Sequence, residues 1–225
     1  MGLLLLCALG FARLGIWQLS RLHQRRALNA VTLVARSAPP VTLAGPALER
    51  SDTLAEYRVE ATGRYDAAHE IVLRGAVLLG VPGVRLVTPL RLGGEGPAVL
   101  VERGFVPAPD AVSVDTAGLE ERGDVTVRGI ALAVPSEGGE PMEHGGRTTW
   151  RRLDLPALRK EMPYTLLPIY ILQTPDSTLP RFPRRVDPPA IDDGPHLNYA
   201  IQWFLFAALA TGFAFLVVGR TRARP

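Results

Sequence analysis

The feature that most constrains this chain is the apolar run from Leu197 to Gly219, opened by the mixed stretch His196-Leu197-Asn198-Tyr199-Ala200-Ile201-Gln202-Trp203-Phe204. About 23 residues at 1.5 Å rise per residue span roughly 34 Å, enough to cross a bilayer core with some tilt. That length predicts a membrane helix over 197–219. A second apolar run, Leu3 to Leu19, lies at the other end and is interrupted by Arg13. It lacks a charged n-region, and no small-x-small cleavage pattern separates it from Trp17 and the basic residues beyond, so it predicts a retained membrane helix over 3–19 rather than a signal peptide.

A hydrophobic content of 47% in 225 residues would suit a soluble domain were it spread evenly. Its concentration at the two ends instead predicts a helix, an extramembrane domain over 39–180, a proline-rich linker over 181–196 and a second helix. The middle segment is long enough to enclose one core. Cys7 is the only cysteine, which excludes an internal disulfide, a Cys-pair metal site and a Cys-x-x-Cys-His haem attachment. With bulky Leu6 before it, Cys7 reads as a small apolar residue within the helix rather than a lipid-attachment site.

Arginines follow both apolar runs, Arg21, Arg25 and Arg26 after the first and Arg220, Arg222 and Arg224 after the second. Long loops are translocated largely regardless of charge, so the short C-terminal tail weighs more. Both termini are therefore expected in the cytoplasm, with the central domain periplasmic or otherwise extracytoplasmic. The net charge of +3 suits anionic lipid headgroups; without a basic stripe carrying interleaved aromatics, no nucleic-acid partner is expected.

Between the helices the pattern becomes short β-rich runs punctuated by glycine and proline, predicting a mainly-β domain of barrel or sandwich type. Candidate strands are Tyr57 to Ala61, Glu70 to Arg74, Arg85 to Leu92, Ala98 to Phe105, Val125 to Val134, Thr148 to Asp154 and Thr165 to Thr174. Val99-Leu100-Val101 reads as a strand buried on both faces. Gly93-Gly94-Glu95-Gly96 reads as a hairpin loop, since no helix follows to make it a phosphate cradle. One short helix is expected over Leu155 to Met162, with Asp154 as its N-cap and Pro156 in its first turn. Pro135 to Gly146 reads as a mobile loop, and Pro175 to Pro195, with six prolines, as a stiff connector.

No nucleophile elbow, phosphate-binding loop or zinc-protease motif occurs, which argues against an enzyme. Asp66, His69 and Glu70 are the nearest to a polar constellation and read as turn and strand-edge residues; His23 and His144 read as surface residues. His196 has more behind it. At about 100° per residue, His196, Tyr199, Trp203 and Ala207 share an arc of roughly 60°, with Asn198 and Gln202 as a neighbouring stripe. Two readings stand: an interfacial aromatic belt, the simpler one on physical grounds, or a face that contacts protein or cofactor. On the first helix, Arg13, Trp17 and Arg21 recur at i, i+4 and i+8 beside Gly10. Arg13 either snorkels to the interface, or Arg13 or Arg21 faces an anionic group on the second helix with Gly10 allowing close approach.

Gly15-x-Trp17-Gln18-Leu19-x-Arg21 and His196-x-x-Tyr199-Ala200-x-Gln202-Trp203-Phe204 together resemble the SURF1 family of cytochrome c oxidase biogenesis factors. Gly63-x-Tyr65-Asp66, Gly80-Val81-Pro82-Gly83, Val87-Thr88-Pro89-Leu90 and Leu100-Val101-x-Arg103-Gly104-Phe105-Val106-Pro107 resemble that family's central motifs in their usual order. Phe105 departs from the usual tryptophan, and the first apolar run is short and carries Arg13. The resemblance implies an integral protein of the bacterial inner membrane that acts with the oxidase catalytic subunit and other assembly factors. It further implies haem a as cargo, with His196 as iron ligand, Tyr199 and Trp203 lining the site, Arg21 pairing with a propionate and Trp17 beside it. A cofactor-free membrane scaffold for oxidase subunits is the alternative.

Overall fold

A computed structural model describes residues 2–94 and 96–222, the last five of these by backbone alone. Glu95 of the expected glycine loop and Arg224 of the C-terminal tail lie outside the described residues. Contacts divide the chain into a unit built from residues 1–34 with 190–225 and a unit over Ala35–Pro189.

In the first unit, α1 (Gly2–Ser37) and α4 (His196–Arg222) are each long and apolar enough to cross a membrane. α1 runs well past Leu19, the expected end of its membrane segment. Residues 20–38 contain no glycine or proline and are rich in arginine, leucine and alanine, so nothing stops the helix before Pro39-Pro40. Its 36 residues give a rod roughly 54 Å long, against about 30 Å of hydrocarbon, so the basic half needs no place within the apolar layer. α4 starts directly after Pro195, whose carbonyl accepts the Tyr199 N–H at 3.1 Å. The two helices run antiparallel, with Phe11 beside Trp203 and Asn29 beside Asp193. A Cβ on Gly15 would sit 2.8 Å from the Phe204 ring, so glycine is what allows this approach. Gly10, by contrast, faces open space, which removes the close approach expected there.

The second unit contains, in chain order, β1 (Val41–Thr42), α2 (Pro46–Glu49), β2 (Arg58–Tyr65), β3 (Ile71–Leu78), β4 (Val81–Leu92), β5 (Ala98–Pro107), β6 (Asp124–Ala133), β7 (Pro141–His144), β8 (Arg147–Trp150), α3 (Leu155–Glu161) and β9 (Leu166–Gln173). Strands neighbour in the order β2-β6-β9-β5-β4, and β4 returns to β2 through Gly63↔Leu92, Arg64↔Arg91 and Tyr65↔Leu90. Five strands thus close into a barrel, which decides between barrel and sandwich. The first half of β4 also pairs with β3, extending a flap through β8 to β7.

Val59, Leu90, Val99, Val101, Ile169 and Ile171 fill the barrel interior. Leu73, Val87, Leu100, Trp150, Leu158 and Leu166 form a second core under α3. Alternate residues of β5 therefore serve different cores, so the strand is buried on both faces, as its unbroken apolar run predicts. α3 is capped as expected, with the Asp154 carboxylate accepting the Ala157 N–H at 3.0 Å. The expected mobile loop over Pro135 to Gly146 is partly corrected. β7 pairs with β8 across Gly145 (φ +58°) and Gly146 (φ +77°), the positive φ pair of a type I′ hairpin turn.

Two arginines are buried inside this apolar unit. Arg103 on β5 and Arg185 in the segment after β9, both 3% exposed, donate to the same Glu121 oxygen at 2.9 and 2.7 Å. Arg103 also reaches Glu70 at 3.2 Å and the Leu119 carbonyl. Arg185 reaches Gln173 at 3.0 Å and the Pro183 carbonyl at 2.9 Å. Next to it, Phe105 and Arg184 exchange backbone hydrogen bonds of 2.8 and 2.7 Å, adding a short strand-like bridge. The Tyr65 ring lies beneath the Arg103 guanidinium at 5.0 Å; burial, reinforced by the Glu121 charge, pushes its phenol well above the usual range.

A Cβ at Gly63 or Gly129 would collide with the carbonyl oxygens of Arg91 and Leu172, respectively. Gly129→Ala should destabilise the protein by about 3 kcal/mol through forced strand separation, read as a lower melting temperature of the detergent-purified chain. Glu121→Ala strips a shared partner from two buried cations and should cost about 3–5 kcal/mol. Glu121→Gln, which keeps the acceptor oxygen, should cost measurably less in the same melt.

Candidate functional site

The start of α4 carries the most distinctive polar arrangement of the helical unit. His196 is the first residue of the helix, and its Nδ1 lies 2.9 Å from Oε1 of Gln18 on α1. An amide oxygen only accepts, so in this contact Nδ1–H is the donor, and in the neutral ring the lone pair is then on Nε2. Before the helix, Gly194 adopts φ +68°, a conformation glycine accepts without cost. A Cβ there would lie 3.5 Å from Cδ2 and 3.7 Å from Nε2, so its absence keeps that edge of the imidazole clear.

Polar and aromatic contacts bracket this pair along the seam. On one side Phe11 stacks on Trp203 with ring centroids 5.7 Å apart, and Phe206 meets both rings at 5.8 and 5.9 Å. On the other, Arg26 Nε donates to Asp193 at 2.8 Å, and the Asn29 amide donates to the Asp192 carbonyl at 2.7 Å. The Arg26 hydrogen bond holds the Asp193 carboxyl below its ordinary range.

The five residues expected at a site are distributed unevenly. His196 and Trp203 are half-buried along the seam, whereas Tyr199 is 46% and Trp17 53% exposed. Arg21 is exposed and donates to Gln24 at 3.0 Å, and among the described residues no hydrogen bond joins it to His196. Helix phase puts Arg21 and Tyr199 on the same side of the antiparallel seam, opposite Gly15 and Phe204, with Trp17 turned further away. Arg13 is also exposed; neither it nor Arg21 meets an anionic partner on α4 among the described residues, contrary to the sharper of the two arginine readings. Arg13 and Trp17 instead line an open depression of about 720 Å³ on α1, together with Cys7, Gly10 and Leu14.

Sequence reasoning missed Gln18 and Phe11. Their signal was present as spacing: Phe11, Gly15, Gln18 and Leu22 recur at i, i+4, i+7 and i+11, one continuous helix face. Leu22 is buried, as that face requires.

A second polar cluster lies in the β unit, where Asp66 and His69 are turn residues as expected, with Asp66 accepting the Ala68 N–H at 3.2 Å, but are joined to a distant partner. His69 Nδ1 lies 2.7 Å from Asp66 Oδ2, and the Tyr164 hydroxyl donates to the same oxygen at 2.8 Å. Burial alone would raise the Asp66 pKa, but hydrogen bonds from Tyr164 and His69 outweigh it and lower the value. The Tyr164 phenol is pushed up, by burial first and then by Asp66. Arg91 sits 4.2 Å above the Tyr164 ring. These contacts tie the turn after β2 to the segment after α3. Among the described residues no group of three or more His, Cys, Asp or Glu side chains is arranged to hold a metal ion.

Comparison with known proteins matches the chain over nearly its whole length. The SURF1 family pattern covers residues 5–208, from within α1 through the barrel to the seam half of α4. A SURF1-like protein of Monosiga brevicollis is 30% identical over 209 residues, spanning 87% of this chain and 78% of that protein. A SURF1-like protein of Rickettsia felis is 28% identical over 199 residues, covering 85% of this chain and 84% of its own length. Surfeit locus protein 1 of Rattus norvegicus is 27% identical over 207 residues, covering 85% and 66%. With both helices' seam residues and every barrel strand inside the matched region, this chain belongs to the SURF1 family.

Proposed function

We propose that this protein is a membrane-held assembly factor for haem-copper cytochrome c oxidase that carries haem a and passes it to the catalytic subunit. Both termini lie in the cytoplasm on this reading, and the barrel lies outside it, in bacteria on the periplasmic side of the inner membrane. The observation that carries it is His196, an imidazole held at the start of an apolar helix by its Nδ1 contact to Gln18, with no hydrogen bond to Nε2 among the described residues. Neutral imidazole is a good haem-iron ligand, and the residues present fit the group chemically.

Other features support the same reading. The barrel interior is filled with aliphatic side chains, so a large planar cargo is better accommodated at the helix pair. Exposed apolar residues of α1 and α4 suit an isoprenoid tail within lipid. Arg21, one helical turn from Gln18 and hydrogen-bonded among the described residues only to a neutral amide, is available to a propionate. Tyr199 and Trp203 lie one and two turns beyond His196 on the same helix face and would border the macrocycle, with Trp17 farther out. The cargo is bound, held and released, and no bond-making step is required of the chain.

Full-length protein purified in detergent after co-expression with haem a synthesis should show the visible absorption of bound haem. His196→Ala should lower its haem occupancy about tenfold or more, as loss of a metal-site ligand or its support does. Unchanged absorption in that variant would discard His196 as the ligand. A colourless parent that still captures oxidase subunits would establish the scaffold role instead.

A further inference from the structure

We infer that Gln18 is the positioning residue of the His196 site, fixing the imidazole in the Nδ1–H tautomer and so presenting Nε2 on the ring edge beside which Gly194 carries no side chain. The iron-binding consequence rests on the haem-cargo reading. The tautomer does not, since it belongs to the chain without cargo.

A neutral imidazole has two tautomers of similar energy, and the hydrogen bond made by one nitrogen selects what the other can do. Here that bond is to an amide oxygen at 2.9 Å, which admits only the N–H form of Nδ1. The distance is set by the helix pair rather than by a loop. The Phe11–Trp203 stack lies on one side of it, and the Arg26 and Asn29 contacts to Asp192 and Asp193 lie on the other. Between them the Gly15–Phe204 approach keeps the helices close. The far edge of the ring shows the complementary feature. Gly194 adopts φ +68° and places no side chain beside Nε2, so two residues about 176 positions apart in sequence present the same nitrogen.

The choice of an amide also has a chemical meaning. Metal-bound histidines commonly donate their second N–H to a carboxylate or carbonyl, and a carboxylate makes the imidazole a stronger donor. Gln18 orients the ring as a carboxylate would, but without adding negative charge at an apolar margin. An oriented ligand of ordinary basicity suits a carrier that must also let go.

The test uses the full-length chain in detergent, labelled with ¹⁵N-histidine, with the His196 signal assigned by its loss in His196→Ala. In the parent, His196 should show a protonated Nδ1 and an unprotonated Nε2. Gln18→Leu should give a mixture of tautomers and, after co-expression with haem a synthesis, about tenfold lower haem occupancy. Gln18→Glu, which restores an acceptor, should recover the Nδ1–H tautomer and the occupancy, and should lower the haem reduction potential. Parent-like tautomer and occupancy in Gln18→Leu would overturn the positioning role while leaving haem binding by His196 intact. A parent that never takes up haem a, yet loses its single tautomer in Gln18→Leu, would uphold the positioning role and overturn the cargo reading.

Discussion

The β unit depends on one carboxylate shared by two buried guanidiniums. Arg103 belongs to a barrel strand, Arg185 to the segment that leaves the barrel, and Glu121 to the irregular stretch between β5 and β6. None of these segments could bury its charge alone, because an unpaired ion in a low-dielectric core costs several kcal/mol. Joined, and with Glu70 as a second carboxylate on Arg103, they neutralise one another, and two irregular segments acquire fixed positions against the strands. The backbone bridge between Phe105 and Arg184 follows from this anchoring, as does the tight passage of Arg184 over Gly104.

The helical unit solves a similar problem with a different layout. Its polar contacts fall in a line along the seam: the Arg26 and Asn29 contacts to Asp192 and Asp193, then Gln18 to His196. Beyond that line Ala200 is buried, the seam then becomes aromatic at Phe11 and Trp203, and Ala8 and Ala214 are buried farther on. The order runs from charged pairs, through a neutral hydrogen bond, to hydrocarbon, the gradient expected for side chains passing from water into lipid. His196 occupies the innermost polar step.

Much of the fold was legible in the sequence because its signals are local. The apolar ends, the β-rich runs, the two-faced burial of β5 and the Asp154 cap each depend on patterns within a few residues. What was missed depends on partners distant in sequence. β7 gains its identity from pairing with β8, although Gly145-Gly146 between them was a usable turn signal. β1, only two residues long, exists because it adds to β2. The Asp66–His69–Tyr164 cluster joins positions 98 residues apart, and Gln18 meets His196 across 178. A polar residue's partner across such a separation has no local periodicity to announce it. The site was therefore half legible: His196 stood out beside a helix start, whereas the residue touching it did not.

The position of β9 in the barrel bears on how the chain comes to be folded. It is the last strand in sequence, yet it lies between β5 and β6, parallel to one and antiparallel to the other. Until residues 166–173 are available, β5 and β6 each expose an unpaired edge, and the earlier strands can form at most an open sheet. Closure then joins segments some 70 residues apart, a topology of high contact order that folds slowly. During synthesis, the first helix is thus complete long before the barrel can shut, and the nascent domain passes through a stage in which its two inner edges must be kept from other strands.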